Sequence, residues 1–452
     1  MKVKNKKVAV IGAGRSGLSV AKLLLKRGAK VFLSEKESSI RNMKELLELK
    51  KYGVEYELGG HTDRVFNFTD FFVISPGVAP SIPIIQKARA KKVKIYSELE
   101  VASWFCRAPI IAVTGSNGKT TTTAIIDKIF SYSKMKSFTA GNIGYPFSDI
   151  VDETKEDMYV ILEVSSFQLE GISRFRPYIS IILNISPDHL DRYSSYNDYI
   201  DAKFRILENL NTDDYLIFNN EDKIITERIR KKEAIKIPFS LEKKFRTGAF
   251  KDRNYFKFYR DGLELTAINS KEVSLKGIHN EQNILASIAT AKICDIENEY
   301  INTALKEFKG IEHRMEYVGE INGVKFINDS KATNIDSVYY ALKSINPPII
   351  LIAGGKDKKS DLTKINELLK DKVKLLVLLG EAAERMEKEW KNLTECIIVD
   401  SFEEGVKKAW ENSGEGDTII LSPACSSFDM FNNFEERGNR FKELFNSIKR
   451  EI

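Results

Sequence analysis

No apolar run in the chain reaches the roughly 18 residues that a membrane-spanning helix needs, which excludes an integral helical membrane protein. Cysteine is scarce. Cys106, Cys294, Cys396 and Cys425 are scattered and form no C-x-x-C pair, which excludes a zinc ribbon and a disulfide scaffold and suits free thiols in a reducing cytosol. Histidine is rarer still for the length, with four in 452 residues. The formal net charge of +6 is small for such a chain and does not mark a nucleic-acid binder, although it favours anionic small molecules slightly. Internal repeats, low-complexity tracts and long flexible linkers are absent. Met1 to Lys7 is basic and an apolar stretch follows, but it runs into Gly12-Ala13-Gly14 with no small-residue cleavage site. It is expected to be a first strand and not a signal peptide. Hydrophobic residues make up 42% and charged residues 30%, a balance that fits soluble globular domains, two to four of them at this length.

Three α/β segments fill the chain. Val8-Ala9-Val10-Ile11 reads as a buried strand opening into Gly12-Ala13-Gly14-Arg15-Ser16-Gly17 and a helix from Leu18 to Lys26. A second strand, Lys30 to Leu33, ends at Ser34-Glu35-Lys36, giving a βαβ start with a G-x-G-x-x-G turn and an acidic residue about 20 positions on. A strand from Asp70 to Ile74 ends in Ser75-Pro76-Gly77. Residues 1–97 are thus expected to form a Rossmann-like domain. Residues 98–310 are expected to form a central P-loop ATPase-type parallel-sheet domain. Its strands run over Pro109 to Val113, Tyr159 to Leu162 and Tyr178 to Ile185, its helices over Ala124 to Phe130 and after His279-Asn280-Glu281-Gln282-Asn283. Within it, Glu227 to Arg260 is rich in Lys and Arg with interleaved Phe and Tyr. Aromatic alternation is ordinary in strands, so a solvated hairpin region is preferred there to a nucleic-acid surface. Residues 311–452 are expected to form a third, C-terminal Rossmann-like α/β domain. Its strands are Val324 to Ile327, Ile349 to Ile352, Leu375 to Leu379, Ile397 to Val399 and Thr418 to Leu421, with helical stretches such as Asp361 to Leu369 and Phe402 to Trp410.

The run Thr114-Gly115-Ser116-Asn117-Gly118-Lys119-Thr120-Thr121-Thr122 carries the most chemistry. A strand, a glycine turn ending in Gly-Lys-Thr and then a helix is the layout of a nucleotide-phosphate cradle. Its backbone N–H groups face phosphate oxygens, Lys119 adds a point charge, and the Thr120 hydroxyl is a ligand for Mg²⁺. The spacing Gly115-x-x-Gly118-Lys119-Thr120 is two residues shorter than the general loop, with Val113 where a glycine would stand. The loop at Gly12 alone would suggest NAD or FAD only weakly. Two cradles together imply two phosphorylated ligands, and a nucleotide-linked substrate used with ATP accounts for both. Glu163 ends an apolar strand and is placed to hold Mg²⁺ with Thr120; the alternative is a strand-end carboxylate facing water.

The loop Thr114 to Thr122 resembles the ATP loop of the Mur ligases and of the related folylpolyglutamate synthetases. Further stretches are similar to the Mur ligase family: Gly141-Asn142-Ile143-Gly144, Glu163-Val164-Ser165-Ser166-Phe167-Gln168-Leu169-Glu170, Asn184-Ile185-Ser186-Pro187-Asp188-His189-Leu190-Asp191-Arg192, Ala202-Lys203 and His279-Asn280-x-x-Asn283. They continue with His313-Arg314, Asn328-Asp329-Ser330-Lys331-Ala332-Thr333-Asn334, and Leu421-Ser422-Pro423-Ala424-Cys425-Ser426-Ser427-Phe428-Asp429 running on to Phe434-Glu435-x-Arg437-Gly438. The last two motifs resemble the branch that adds D-glutamate, and the Asp-Asn-Pro-Arg of the diamino-acid-adding relatives is missing.

The resemblance implies an ATP-dependent, amide-forming ligase that joins D-glutamate to UDP-N-acetylmuramoyl-L-alanine through an acyl phosphate, in peptidoglycan precursor synthesis. It implies Mg²⁺ at two sites, held by Thr120, Glu163, His189 and a Lys203 carrying a CO₂-derived carbamate. Lys119, Glu163, His189, Lys203 and Lys331 are then the catalytic residues. ATP would contact Gly115, Ser116, Asn117, Gly118, Lys119, Thr120 and Thr121, with Asn283 at adenine, Asp329 at ribose, and Arg314 and Lys331 at phosphates. The UDP-linked substrate would meet Gly14, Arg15 and Ser16 at its pyrophosphate and Ser34, Glu35 and Lys36 at uracil. Ser75, Pro76, Gly77 and Asn142 would lie nearer the sugar, with Ser165, Gln168 and His189 completing the site. Thr333, Lys358, Ser427 and Phe434 match the family's D-glutamate pocket, Lys356 and Lys359 being alternatives to Lys358. Read from composition alone, Lys203 would be a solvated helix lysine. The implied setting is cytoplasmic and monomeric, with small-molecule partners and neither nucleic acid nor membrane. Competing readings are a folylpolyglutamate synthetase, which leaves the Gly12 loop unused; an ATP-dependent regulatory protein without ligase chemistry; and an NAD-dependent oxidoreductase, which leaves Gly118-Lys119-Thr120 unexplained.

Overall fold

The computed structural model describes residues 2–40, 42–142, 144–188, 192–357 and 359–451. The chain divides into two compact units. One comprises residues 1–185, 197–274 and 280–308, the other residues 186–196, 275–279 and 309–452. Among the described residues no helix is long and apolar enough to cross a membrane.

The first unit carries two sheets. The smaller has five parallel strands in the order Glu55–Glu57, Lys30–Ser34, Lys7–Ile11, Phe71–Ile74, Ile95–Ser97. After an exposed first lysine, the central strand is apolar and buried from Val8 to Ile11 because both faces of the sheet are covered. Val8 and Val10 pack with Leu18, Ala21 and Leu24 of the helix Arg15–Lys26, while Ala9 and Ile11 pack with Phe32, Phe72 and Ile85 on the opposite side. The strand order reverses between Lys7–Ile11 and Phe71–Ile74, where the loops Gly12 to Gly17 and Ser75 to Gly77 depart. Such a switch point is where open α/β sheets bind ligands.

The larger sheet has nine strands, in the order Leu263–Asn269, Tyr255–Arg260, Gly248–Asp252, Ile235–Ser240, Tyr215–Asn219, Ile179–Ile182, Ile110–Thr114, Tyr159–Glu163, Ser137–Gly141. The run from Ile235–Ser240 to Ser137–Gly141 is parallel, and the three strands from Gly248 to Asn269 are joined as antiparallel hairpins. The basic, aromatic tract therefore does form hairpins. Phe256 and Phe258 are buried, and the Lys257 ammonium alternates with them and pairs with Glu264 at 2.9 Å. Two expected boundaries are corrected. The helix after the glycine loop runs over Lys119–Tyr132 and not from Ala124, because Gly118 (φ +87°) turns the chain and the threonines of the first turn, Thr121 to Thr123, are buried. The strand expected over Tyr178 to Ile185 spans only Ile179–Ile182; the Leu183 N–H still reaches the Thr114 carbonyl, but by Ile185 the backbone N–H has turned to the Asp222 carboxylate.

The two sheets of this unit are fastened at the helix Glu98–Ser103. The Glu100 carboxylate accepts from the backbone N–H groups of Ser173, Arg174 and Phe175 and from the Trp104 indole. Glu98 accepts from the Ser148 N–H at 2.6 Å, and burial pushes its carboxyl up to about 7.

The second unit is built on a six-stranded sheet in the order Glu316–Ile321, Val324–Asn328, Thr418–Ala424, Ile349–Gly354, Val373–Leu379, Glu395–Val399, parallel except for its first pair. Leu351, Leu376 and Trp390 fill one face, and Phe326, Phe441 and Phe445 the other. The helix expected over Asp361 to Leu369 is instead a 3₁₀ turn, Leu362–Ile365, followed by the helix Asn366–Lys372, because the Asp361 side chain caps the Thr363 N–H and tightens the entry. Asp329, Ser427 and Lys356 follow three neighbouring strands and so gather at one edge of the sheet.

Candidate active site

The ATP-type loop leaves the fully buried strand Ile110–Thr114. A Cβ on Gly118 would collide with the Asn283 carboxamide, so glycine is required there by contact as well as by conformation. That contact also brings Asn283, on the helix Ile278–Ile293, beside the loop. The helix Lys119–Tyr132 begins at Gly118, and first-turn amides of a helix have no partner within it, which favours an anion. The Lys119 ammonium donates to the carbonyls of Gly115 (2.8 Å) and Ser116 (2.9 Å), folding over its own loop. The Ser116 hydroxyl shares a hydrogen bond with the Tyr199 hydroxyl at 2.8 Å. Thr120 is half-buried in the first helical turn.

Lys203 is 2% exposed and its ammonium donates to the Gly115 carbonyl at 2.8 Å, above the Tyr199 ring. The solvated helix lysine that composition alone suggested is therefore excluded: Lys203 shares the Gly115 carbonyl with Lys119. Glu163 lies on the strand beside the loop, in register with Val113, and is 3% exposed. Its Oε1 accepts from the Asn142 carboxamide at 3.0 Å, and its Oε2 is buried with no hydrogen-bond partner among the described residues. A buried, unpartnered carboxylate oxygen suits a hard divalent cation, and a hydroxyl such as that of Thr120 is an oxygen ligand of the same kind. Ser165 and Gln168 form a capping box on the short helix Ser166–Leu169, which commits both side chains locally.

At the switch point of the smaller sheet, Gly17 packs so close to the Gly12 carbonyl and the Ser75 hydroxyl that a side chain would not fit, while Gly14 and Gly77 face open space. Arg15 reaches the Gly144 carbonyl at 2.6 Å, and Ser16 is half-buried beside it. The expected uracil residues separate. Ser34 is fully buried and donates to Glu57 at 2.6 Å, Glu35 accepts from the Ala13 N–H at 2.6 Å, and Lys36 is exposed. Pro76 is half-buried on the loop that Ser75 anchors to Gly12 at 3.0 Å.

In the second unit Asp329 is 4% exposed, accepting from the Ser422 hydroxyl at 2.8 Å and the Met315 N–H at 3.1 Å. Burial pushes its carboxyl up to about 6 against the pull of Arg314. His279 is driven down to about 4 by burial, with Arg314 adding to the effect. The Lys331 ammonium stands over the Phe434 ring, 5.1 Å from its centroid, and the Thr333 N–H donates to the Lys331 carbonyl at 2.9 Å. Ser427 is buried next to Ser426, which is bridged to Lys356. His189 and Lys358 lie outside the described residues.

Models of Mur ligase domains match most of the chain: the Mur ligase MurD-like N-terminal domain over residues 6–97, the Mur ligase middle domain over 113–291 and the Mur ligase glutamate ligase domain over 313–425. A UDP-N-acetylmuramoylalanine--D-glutamate ligase from Chloroherpeton thalassium is 40% identical over 459 residues, covering 98% of each chain. One from a Thermoanaerobacter species is 41% identical over 457 residues, covering both chains fully. The chain belongs to the Mur ligase family. Its three-domain α/β fold is that of Mur ligases, and a solved UDP-N-acetylmuramate-alanine ligase from Thermotoga maritima superposes with a TM-score of 0.62 at 21% identity, covering 98% of this chain and 99% of that one.

Two motif residues, one in each unit, make contacts that the sequence did not indicate. Asn142 hydrogen-bonds Glu163 with its side chain and also donates its backbone N–H to the Glu163 carbonyl at 2.9 Å. Arg437 is buried, spanning the Ser330 hydroxyl and the carbonyls of Ser330 and Cys425, so it ties together the two loops that carry Lys331 and Ser427. Burial lowers its guanidinium to about 10. The motifs exposed these residues as part of a pattern, but only the fold shows what each one holds.

Proposed function

We propose that the chain is the ATP-dependent ligase that joins D-glutamate to UDP-N-acetylmuramoyl-L-alanine, releasing ADP and phosphate, in cytoplasmic peptidoglycan precursor synthesis. The observation that carries this reading is about 40% identity to ligases of that name from one end of the chain to the other. The geometry supports it with a nucleotide loop on the larger sheet and a second glycine loop at the switch point of the smaller one.

The chemistry follows from the substrates. The L-alanyl carboxylate attacks the γ-phosphorus of ATP, the bond to the β-phosphate oxygen breaks, and an acyl phosphate forms. The D-glutamate amine then attacks the acyl carbon, loses a proton, and the tetrahedral intermediate expels phosphate. Both steps bring anions together, so positioning and charge neutralisation carry most of the rate. Bound Mg²⁺ would neutralise phosphate charge, with Glu163 and Thr120 as its holders and His189 completing the set. Lys119, already folded over the loop, would brace the phosphates. Asn283 would meet adenine, Asp329 ribose, and Arg314 and Lys331 phosphate oxygens. Gly14, Arg15 and Ser16 would take the pyrophosphate of the UDP substrate. Thr333, Ser427, Phe434 and a lysine of the segment 356–359 would receive D-glutamate.

Lys203 would carry a carbamate: its neutral amine bonds to the carbon of CO₂ and releases a proton, turning a cation into an anion. Its burial and its crowding with Lys119 on one carbonyl support this, because two ammonium groups on one acceptor repel each other. The enzyme is proposed to act as a monomer. Phosphate release from ATP, Mg²⁺ and UDP-N-acetylmuramoyl-L-alanine, tested with a panel of amino acids, separates the readings: release confined to D-glutamate supports this one, and release with a diamino acid, L-alanine, or folate plus L-glutamate overturns it.

A further inference from the structure

The sheet ladder between Ile110–Thr114 and Ile179–Ile182 ends at the pair Thr114 and Ile182. Its hydrogen bonding does not end there. The Leu183 N–H donates to the Thr114 carbonyl at 3.0 Å, and the Ser116 N–H donates to the Asn184 carbonyl at 2.9 Å. Beyond that point the backbones diverge, and the Asn184 side chain takes over. Its carboxamide oxygen accepts from the Asn117 N–H at 2.8 Å, and its carboxamide nitrogen donates to the Asn117 carbonyl at 3.1 Å. A primary amide carries the donor and acceptor of a peptide group, so it can pair with a backbone unit on both edges. The backbone behind it is fixed in turn: the Ile185 N–H donates to the Asp222 carboxylate at 2.8 Å.

We propose that Asn184 is a positioning residue for ATP, extending the sheet by one side-chain step to hold the shortened loop Gly115 to Gly118 in its nucleotide-binding shape. The inference rests on the reading of that loop as the ATP site. A loop two residues shorter than the general pattern has less backbone with which to close its own turn. The strand-following segment supplies the missing partners instead. Three hydrogen bonds from one residue fix Ser116 and Asn117, and so set the direction in which the chain enters Gly118 and the helix Lys119–Tyr132. A strand-end asparagine with no such task would turn its amide to water.

Three measurements on the full-length chain test this, using ADP and the UDP-linked substrate as separate equilibrium probes. Asn184→Leu keeps the branched shape, with bulkier methyl groups, and removes both side-chain bonds; its Kd for ADP should rise on the order of tenfold or more, from two lost hydrogen bonds. The Kd for UDP-N-acetylmuramoyl-L-alanine should stay within about twofold, and KM for ATP should rise more than that for D-glutamate. Asn184→Asp keeps the acceptor for the Asn117 N–H but sets a carboxylate against the Asn117 carbonyl, and should weaken ADP at least as much. In hydrogen exchange the Asn117 amide should lose protection in Asn184→Leu while those of Ile111 and Val113 keep theirs. Unchanged ADP affinity in Asn184→Leu, or equal weakening for both ligands, would overturn the proposal. If the unsubstituted chain bound the UDP substrate but no ADP, the ATP reading would fall first and this inference with it.

Discussion

Asp329→Asn should make the second unit more stable at neutral pH while weakening ATP. Asp329 is buried behind the strand Val324–Asn328, and burial lifts its carboxyl from 3.8 to about 6 despite Arg314 and two hydrogen-bond donors. A carboxyl raised in the folded state stabilises the fold fully below its unfolded value. That contribution is lost as pH rises through the folded one, because the unfolded chain gives up its proton first. Each tenfold is worth about 1.4 kcal/mol, so ionising Asp329 in place costs about 3 kcal/mol, lost between pH 4 and pH 7 and constant above. Asparagine has no such cost. Any fixed offset from altered hydrogen bonds cancels when the two proteins are compared across pH. The assay is urea unfolding followed by fluorescence in a Trp104→Phe background, which leaves Trp390 and Trp410, both in the second unit, as reporters. The stability difference, variant minus parent, should grow by about 3 kcal/mol from pH 4 to pH 7. A difference that is flat or shrinks with pH would refute the reasoning. The apparent KM for ATP should rise in the same variant, which would explain why an acid is kept where an amide is more stable.

Lys119→Ala and Glu163→Gln should each lower kcat by on the order of a hundredfold or more in a phosphate-release assay, and Glu163→Gln should also raise the Mg²⁺ concentration needed for half-maximal rate. Lys203→Ala should lose most activity, and the unsubstituted enzyme freed of CO₂ should regain rate when bicarbonate is added; a fully active Lys203→Ala with no CO₂ effect would remove the carbamate. Ser427→Ala should raise KM for D-glutamate about tenfold with a smaller change in kcat, and an unchanged KM would take Ser427 out of the pocket.

The three α/β patterns, both glycine loops and most strands were legible because parallel strands buried on both faces read as apolar runs and glycine turns have fixed positions. Lys203 shows where that legibility stops. On the helix Tyr196–Phe204 it stands between Ala202 and Phe204, where a long lysine would ordinarily reach out to water, and the partner that holds its ammonium is the Gly115 carbonyl, far away in sequence. Ser34 and Glu35 likewise have partners that no local pattern reveals: the Ser34 hydroxyl donates to Glu57 and the Glu35 carboxylate accepts from the Ala13 N–H. The strand expected from Tyr178 runs past the observed one because Leu183 and Ile185 continue the apolar run on either side of Asn184. Past the strand, the Ile185 N–H is taken by Asp222, a partner that no local pattern reveals.

The most direct test of the account is single-turnover chemistry with the purified chain, ATP labelled at the γ-phosphate, Mg²⁺ and UDP-N-acetylmuramoyl-L-alanine. Added D-glutamate should release labelled phosphate and yield one amide product per ATP consumed. Phosphate released at the same rate without D-glutamate, or an amide formed with another amino acid in its place, would contradict it.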